Sequence, residues 1–259
     1  MEPAGGLEIR SRDGDLRASV AAVLAELPQP PAPVRGELTS TLPIGAGLSS
    51  SAAVHVVLAL ALGGLDGWEL ARTAQRAEHR ALRVPSGLLD QAASVFGRAG
   101  HAVLLDFAAQ EEELVPLPDG LAIVVVHSGV SRTLAASPYA ERKRELDEGM
   151  PPRIRHVESE SRRVREVAAA LRSGELGRVG ELFREGHESL RDDFEASTPE
   201  LDALVAHARR SGALAARPTG GGFGGAIVAL VGDDDAAAFA ARMPAPSWIT
   251  RGCDGAREL

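Results

Sequence analysis

The stretch LPIGAGLSSSAAVHVVLALAL at residues 42–62 limits the possible folds of this chain more than any other. Two glycines and three consecutive serines stand at the mouth of an apolar run that suits only a strand or a buried helix. The spacing predicts a helix over 49–63. A helix start presents unpaired N–H groups and the positive end of its dipole. Glycine lets backbone come close to a ligand. Gly45, Ala46, Gly47, Leu48, Ser49, Ser50 and Ser51 therefore read as a turn that cradles phosphate without a basic side chain. The plainer alternative is a serine that caps a core helix.

Composition narrows the chemistry. Lys143 is the only lysine, so no Gly-Lys-[Ser/Thr] phosphate loop exists. A net charge of −8 argues against nucleic acid as a partner. The single cysteine, Cys253, excludes an intrachain disulfide and suits a reducing cytoplasm. The start MEPAGGLEIRSRDGD is polar and unlike a signal peptide, and the longest apolar run is too short to span a bilayer. The expectation is a cytoplasmic protein with no membrane partner. The seven histidines are scattered, without zinc-ligand spacing.

Periodicity reads as a mix of helices and strands without strict alternation, an α+β chain. Helices are expected at LRASVAAVLAEL, DGWELARTAQRAEHRAL, LLDQAASVFG, SPYAERKREL, RIRHVESESRRVREVAAAL, ELGRVGELFREGHESLRDDF and PELDALVAHARRSGAL. Strands are expected at RGELTSTLPI, HAVLLDF and LAIVVVHSG, and after the glycine cluster TGGGFGG at 219–225.

Besides the serine turn, two places carry unusual residues. Asp90 is an acid in an apolar segment, where an isolated charge is costly to bury; a solvent-facing position is the alternative. Its removal is expected to leave stability unchanged or raised. Glu78 lies on a helix rich in Arg and Glu, and from the residues alone a solvated face fits it better. TGGGFGG holds five glycines around one Phe. That many suits close approach of two backbones, or of backbone and ligand. Glycine loops for phosphate, a hydroxyl and a carboxylate for Mg²⁺, and an Asp for the attacking hydroxyl together suggest phosphoryl transfer.

PIGAGLSSSAAV resembles the second signature motif of the GHMP kinases, and RPTGGGFGGAIVALV the third. AEHRALRVPSGLLDQAASVFGRAGHAVLLDF, HSGVSRTLAASPYAERKRE, RIRHVESESRRVREVAAAL and LFREGHESLRDDFEASTPELDALV follow the galactokinase family in order. The final DGAREL resembles its last strand. The resemblance implies two α+β lobes with the site between them. Residues 1–115 would form an N-terminal lobe related to the second domain of ribosomal protein S5, truncated at its start. Residues 116–259 would form a ferredoxin-like lobe. It implies ATP and Mg²⁺ as cofactors and a sugar as substrate, phosphorylated at the anomeric hydroxyl, with galactose first. Asp90 would be catalytic, Gly87 and Tyr139 would line the sugar pocket, and Ser51 and Glu78 would hold Mg²⁺. Gly221 and Gly222 would support the phosphate turn.

Galactokinases begin with a further segment, an Arg followed by Gly-Glu-His-x-Asp-Tyr, and nothing in this sequence matches it. The resemblance then implies weak phosphorylation by this chain and an unpaired sheet edge beside residues 36–44. Possible self-association follows from that edge. The alternatives are a non-catalytic nucleotide- or sugar-binding regulator, or a GHMP kinase acting on another small alcohol.

Overall fold

The computed structural model describes residues 8–11, 14–42, 48–83, 86–130 and 138–258. The first half holds β1 (Glu8–Ser11), α1 (Arg17–Glu26), β2 (Arg35–Leu38), α2 (Ser50–Gly63), α3 (Gly67–Leu82) and α4 (Leu89–Phe96). β1 and β2 pair in parallel, Ile9 opposite Gly36 and Ser11 opposite Leu38. α2 buries Ala52, His55, Val56, Leu58, Ala59 and Leu62, as an apolar helix must. α3 is amphipathic. Its inner face of Leu70, Ala74 and Ala77 packs on Val56, Leu58 and Leu62 of α2 and Val23 of α1. Arg76 and Arg80 on α3 both pair with Glu26 at the end of α1.

A hairpin follows, β3 (His101–Asp106) with β4 (Glu111–Pro116). Trp68 of α3 joins it, tilted against Phe96 of α4, edge-on to Phe107, and donating Nε1–H to Glu112 at 2.7 Å. The second half holds β5 (Leu121–His127), α5 (Tyr139–Asp147), α6 (Pro151–Ser173), α7 (Leu176–Asp192), α8 (Pro199–Arg210), β6 (Ala215–Pro218), β7 (Ala226–Gly232), α9 (Ala236–Arg242) and β8 (Ser247–Thr250). Its antiparallel sheet has the order β6-β7-β5-β8. Period-2 alternation sends Ala122, Val124 and Val126 to one face, against Leu201 and Leu204 of α8 and Phe239 of α9. Leu121 and Ile123 face the other side, where Leu171 of α6, Val179 of α7 and Val115 of β4 form a further core.

The chain end returns to the first half. Gly255 N–H donates to the Gly97 carbonyl and Ala256 N–H to the Ser94 carbonyl, each at 2.8 Å. Gly255 has to be glycine, because a side chain there would run into the Val95 carbonyl.

The structure corrects three expectations. β2 stops at Leu38 rather than running to residue 44, because the Ser40 hydroxyl takes the Leu42 N–H in a local turn. β2 is also already paired with β1 along one edge. The last strand is Ser247–Thr250, not DGAREL, whose backbone bonds to the end of α4 instead. β1 and β4 were not foreseen; β4 carries three glutamates and buries only Val115.

Candidate active site

Gly45, Ala46 and Gly47 lie outside the described residues. Leu48, Ser49 and Ser50 are each half-buried at the head of α2. Ser49 occupies the N-cap position in the left-handed region, φ 56°, and its side chain makes no capping bond. Thr198 at the head of α8, by contrast, accepts from Leu201 N–H. The serine-cap alternative therefore fails at α2. Among the described residues, with Ser49 not capping it, the positive end of an apolar helix is open to an anionic partner.

One turn into α2, Ser51 Oγ donates to Glu78 Oε1 of α3 at 2.5 Å. Glu78 is buried, which corrects the solvated-face reading. Its Oε2 accepts from Ser86 Oγ at 2.7 Å and from Gln91 Nε2 at 2.8 Å. The α3–α4 connection is held from below: Gln75 Nε2 donates to the Ser86 carbonyl, and the His79 ring lies 2.9 Å from Ser86 N–H. His55, also buried, lies 2.8 Å from the Ser51 carbonyl through Nδ1. A carbonyl only accepts, so Nδ1 carries the proton and Nε2 is an acceptor without a partner among the described residues. Burial pushes the His55 pKa below the usual histidine range, against the pull of the Ser51 carbonyl and Glu78.

Asp90 stands in the first turn of α4 and is exposed, not buried. Of the apolar neighbours that suggested burial, only Ala92 is buried; Leu88 and Val95 are half-buried, and Leu89 and Ala93 are exposed with Asp90. Gly87 is exposed too, and a Cβ there would meet nothing within 4 Å. Ser51 and Glu78 thus touch, while Gly87 and Asp90 ride on the segment that Glu78 holds through Ser86 and Gln91. Tyr139 opens α5 in the second half and is half-buried.

Gly221 and Gly222 lie in the turn between β6 and β7. Gly222 has φ +76°, and a side chain would run into the Ala196 carbonyl. Phe223 N–H donates to that carbonyl at 2.7 Å, and Gly225 N–H to Val130 at 3.0 Å. Of the two sequence alternatives, backbone against backbone is the one described here. Buried Arg153 braces the Ala196 loop, pairing with Glu145 of α5 at 2.8 Å and Glu195 at 2.9 Å. Arg142 joins the same Glu145, so α5 and the glycine turn share one support.

Ser86, Gln91 and His55 escaped the sequence reading. Only Gln91 left a signal, a long polar amide inside an apolar segment. Among the described residues no Arg or Lys pairs with Glu78, and no group of three or more His, Cys, Asp and Glu is placed to hold a metal. A buried carboxylate without a counter-charge, beside a hydroxyl, suits a hard cation. Mg²⁺ commonly takes one or two carboxylates and completes its shell with water and phosphate oxygens. The residues present fit that ion.

The profile described as "GHMP kinases N terminal domain" matches residues 16–98, and "GHMP kinases C terminal" matches 167–246. With its two α+β lobes, the chain belongs to the GHMP kinase superfamily. Its relatives within it are galactokinases. That of Streptomyces coelicolor is 40% identical over 231 residues, 75% of this chain and 60% of the relative. That of Pyrococcus furiosus is 37% identical, over 78% of this chain and 66% of the relative. The crystal structure of Lactococcus lactis galactokinase complexed with galactose superposes with a TM-score of 0.81 at 26% identity, covering 98% of this chain and 84% of that one. L. major mevalonate kinase, at 0.68 and 23% identity over 98% and 84%, shares the fold. The chain spans 60% of the length of the Streptomyces relative.

Proposed function

We propose that the protein is a sugar kinase that transfers the γ-phosphoryl group of ATP to the anomeric hydroxyl of galactose, giving galactose 1-phosphate and ADP. The observation that carries this is the Ser51–Glu78 pair, a hydroxyl on a buried carboxylate beside an uncapped helix start. Kinship with galactokinases names the sugar. Ser51 and Glu78 would hold Mg²⁺, which when bound neutralises charge on the phosphates. Residues 45–51 bind phosphate oxygens through backbone N–H groups. Gly87 and Tyr139 line the sugar pocket. Asp90 takes the proton of the anomeric hydroxyl as that oxygen bonds to phosphorus and the bond to the ADP oxygen breaks. Gly221 and Gly222 hold the phosphate turn in place. We assign residues 1–115 and 116–259 to the two lobes and the protein to the cytoplasm. An apolar groove of about 510 Å³ between β2 and α2, walled by Val34, Leu38, Val57 and Ala61, supports self-association.

The test is ADP release from Mg-ATP with galactose, with homoserine and with mevalonate, alongside calorimetry with galactose. We expect galactose alone to bind and to stimulate release. Release that is independent of galactose, or stimulated equally by the other two, overturns the assignment.

A further inference from the structure

Ser86 and Gln91 both touch Glu78 and have no task in the proposed chemistry; Gln91 is the more deeply placed of the two. It is fully buried, and only one end of its amide is engaged. Nε2 donates to Glu78 Oε2 at 2.8 Å, while Oε1 has no partner among the described residues. A buried unmatched acceptor costs about 1–3 kcal/mol, so stability alone does not account for an amide here. Its neighbour Asp90 is exposed in the same helical turn.

The terminal torsion of a glutamate has no sharp staggered preference. Which oxygen of Glu78 faces α2 is therefore set by the donors around it. Ser86 Oγ and Gln91 Nε2 both fall on Oε2 and leave Oε1 to Ser51. Ser86 sits in a connection, whereas Gln91 sits in α4, packed on both α2 and α3. We infer that Gln91 is a positioning residue: its amide fixes Oε1 of Glu78 toward the head of α2 and, through the shared turn, sets the distance from that carboxylate to Asp90. This rests on the reading of Glu78 as a Mg²⁺ ligand and Asp90 as proton acceptor. An amide with a purely structural role would, once removed, lower stability and leave metal affinity alone.

The test is Mn²⁺ binding in the presence of a non-hydrolysable ATP analogue, followed by the free-ion paramagnetic resonance signal, with melting temperatures. It compares the unmutated protein with Glu78→Gln, Gln91→Met and Gln91→Glu. Glu78→Gln should lose Mn²⁺ binding. Gln91→Met keeps length and removes the donor, and should weaken binding about tenfold, the lower range for an outer-shell partner. Gln91→Glu keeps the shape but sets a second acceptor against Oε2, so it should weaken binding further; it also stands in if the Met variant fails to fold. Should folded Gln91 variants bind Mn²⁺ within twofold of the unmutated protein while Glu78→Gln does not, the positioning role is overturned and the reading of Glu78 survives. Unfolding of both Gln91 variants overturns it as well, assigning the amide to α4 packing. If the unmutated protein takes up no Mn²⁺, or Glu78→Gln binds it normally, the Mg²⁺ reading falls and the inference falls with it.

Discussion

Asp90 shows how an acid among apolar neighbours misleads. LLDQAASVF offers a mostly apolar helix, and a buried charge follows naturally from composition. Eight residues of helix, however, bury only Gln91 and Ala92, and Asp90 is left in solvent at the positive end of the dipole. Asp90→Asn should therefore cost rather than gain stability, by about 0.3–1 kcal/mol. In a melting experiment that is a fall of at most about 3 °C in a chain of this size. Galactose-dependent ADP release should drop about 10²–10⁴-fold, as for loss of a general base; equal turnover would make the acid a bystander. Gly222 is the reverse case, legible from sequence because five glycines in seven residues have few structural excuses. Gly222→Ala adds a methyl against the Ala196 carbonyl at a positive φ. It should destabilise by about 2–4 kcal/mol, combining overpacking with left-handed strain. Urea unfolding that shows a loss below about 1 kcal/mol would mean the turn relaxes. The serine turn and Glu78 had to be joined across α2 and α3, which no local pattern encodes. The resemblance gave Glu78 a place in the site, which its burial fits, whereas its own helix, rich in Arg and Glu, argued for solvent.

At the scale of elements, hydrophobic period recovered eight of the nine helices of the described residues and missed the short, alanine-rich α9. Short strands fared worse. β1 has four residues, and β4 opens on three consecutive glutamates, so neither carries a period to read. Arg153 links three elements that sequence separates, α5, α6 and the loop before α8. Arg153→Ala should cost about 3 kcal/mol, the low end for breaking a buried pair, because Arg142 still neutralises Glu145. Hydrogen exchange across α5 should speed up with it; unchanged protection there would detach α5 from the network. Three buried histidines set the acid limit. Burial lowers the pKa of His55, of His156 and of His187 below the usual histidine range. The unfolded chain therefore protonates first as pH falls, and their stability contribution is full above about pH 6.5 and lost below it. Glu160, raised by burial but lowered more by Arg217 and Arg163, extends the same loss to lower pH. Calorimetry should give a melting temperature that is level from pH 8 to 7 and falls steadily below 6.5. His156→Gln should flatten that fall, and a rise on acidification would contradict the assignment.

For the whole molecule, the two halves are unequal in cover. The second sheet has helices on both faces, whereas β1 and β2 form a parallel pair with an apolar groove between β2 and α2. Parallel strands are ordinarily found buried, and two strands alone are marginal. Val57 is 43% exposed on the groove wall. Sedimentation should show association that grows with concentration and weakens on Val57→Glu, with fast amide exchange in Arg35–Leu38. A monomer at all concentrations with slow exchange there would mean the groove is closed in solution. The return of residues 252–256 to α4 has another effect. The polypeptide leaves the first half near Pro116 and re-enters it near Gly252, so the halves are suspended from two ropes instead of one. A body hung from a single point swings in every direction. Hung from two, and with Val115 of β4 packed against α6 and α7, it is held more closely still. The helix start that carries Asp90 lies on the same short α4 to which the second rope is knotted, so residues 252–256 and the segment bearing Asp90 are tied to each other.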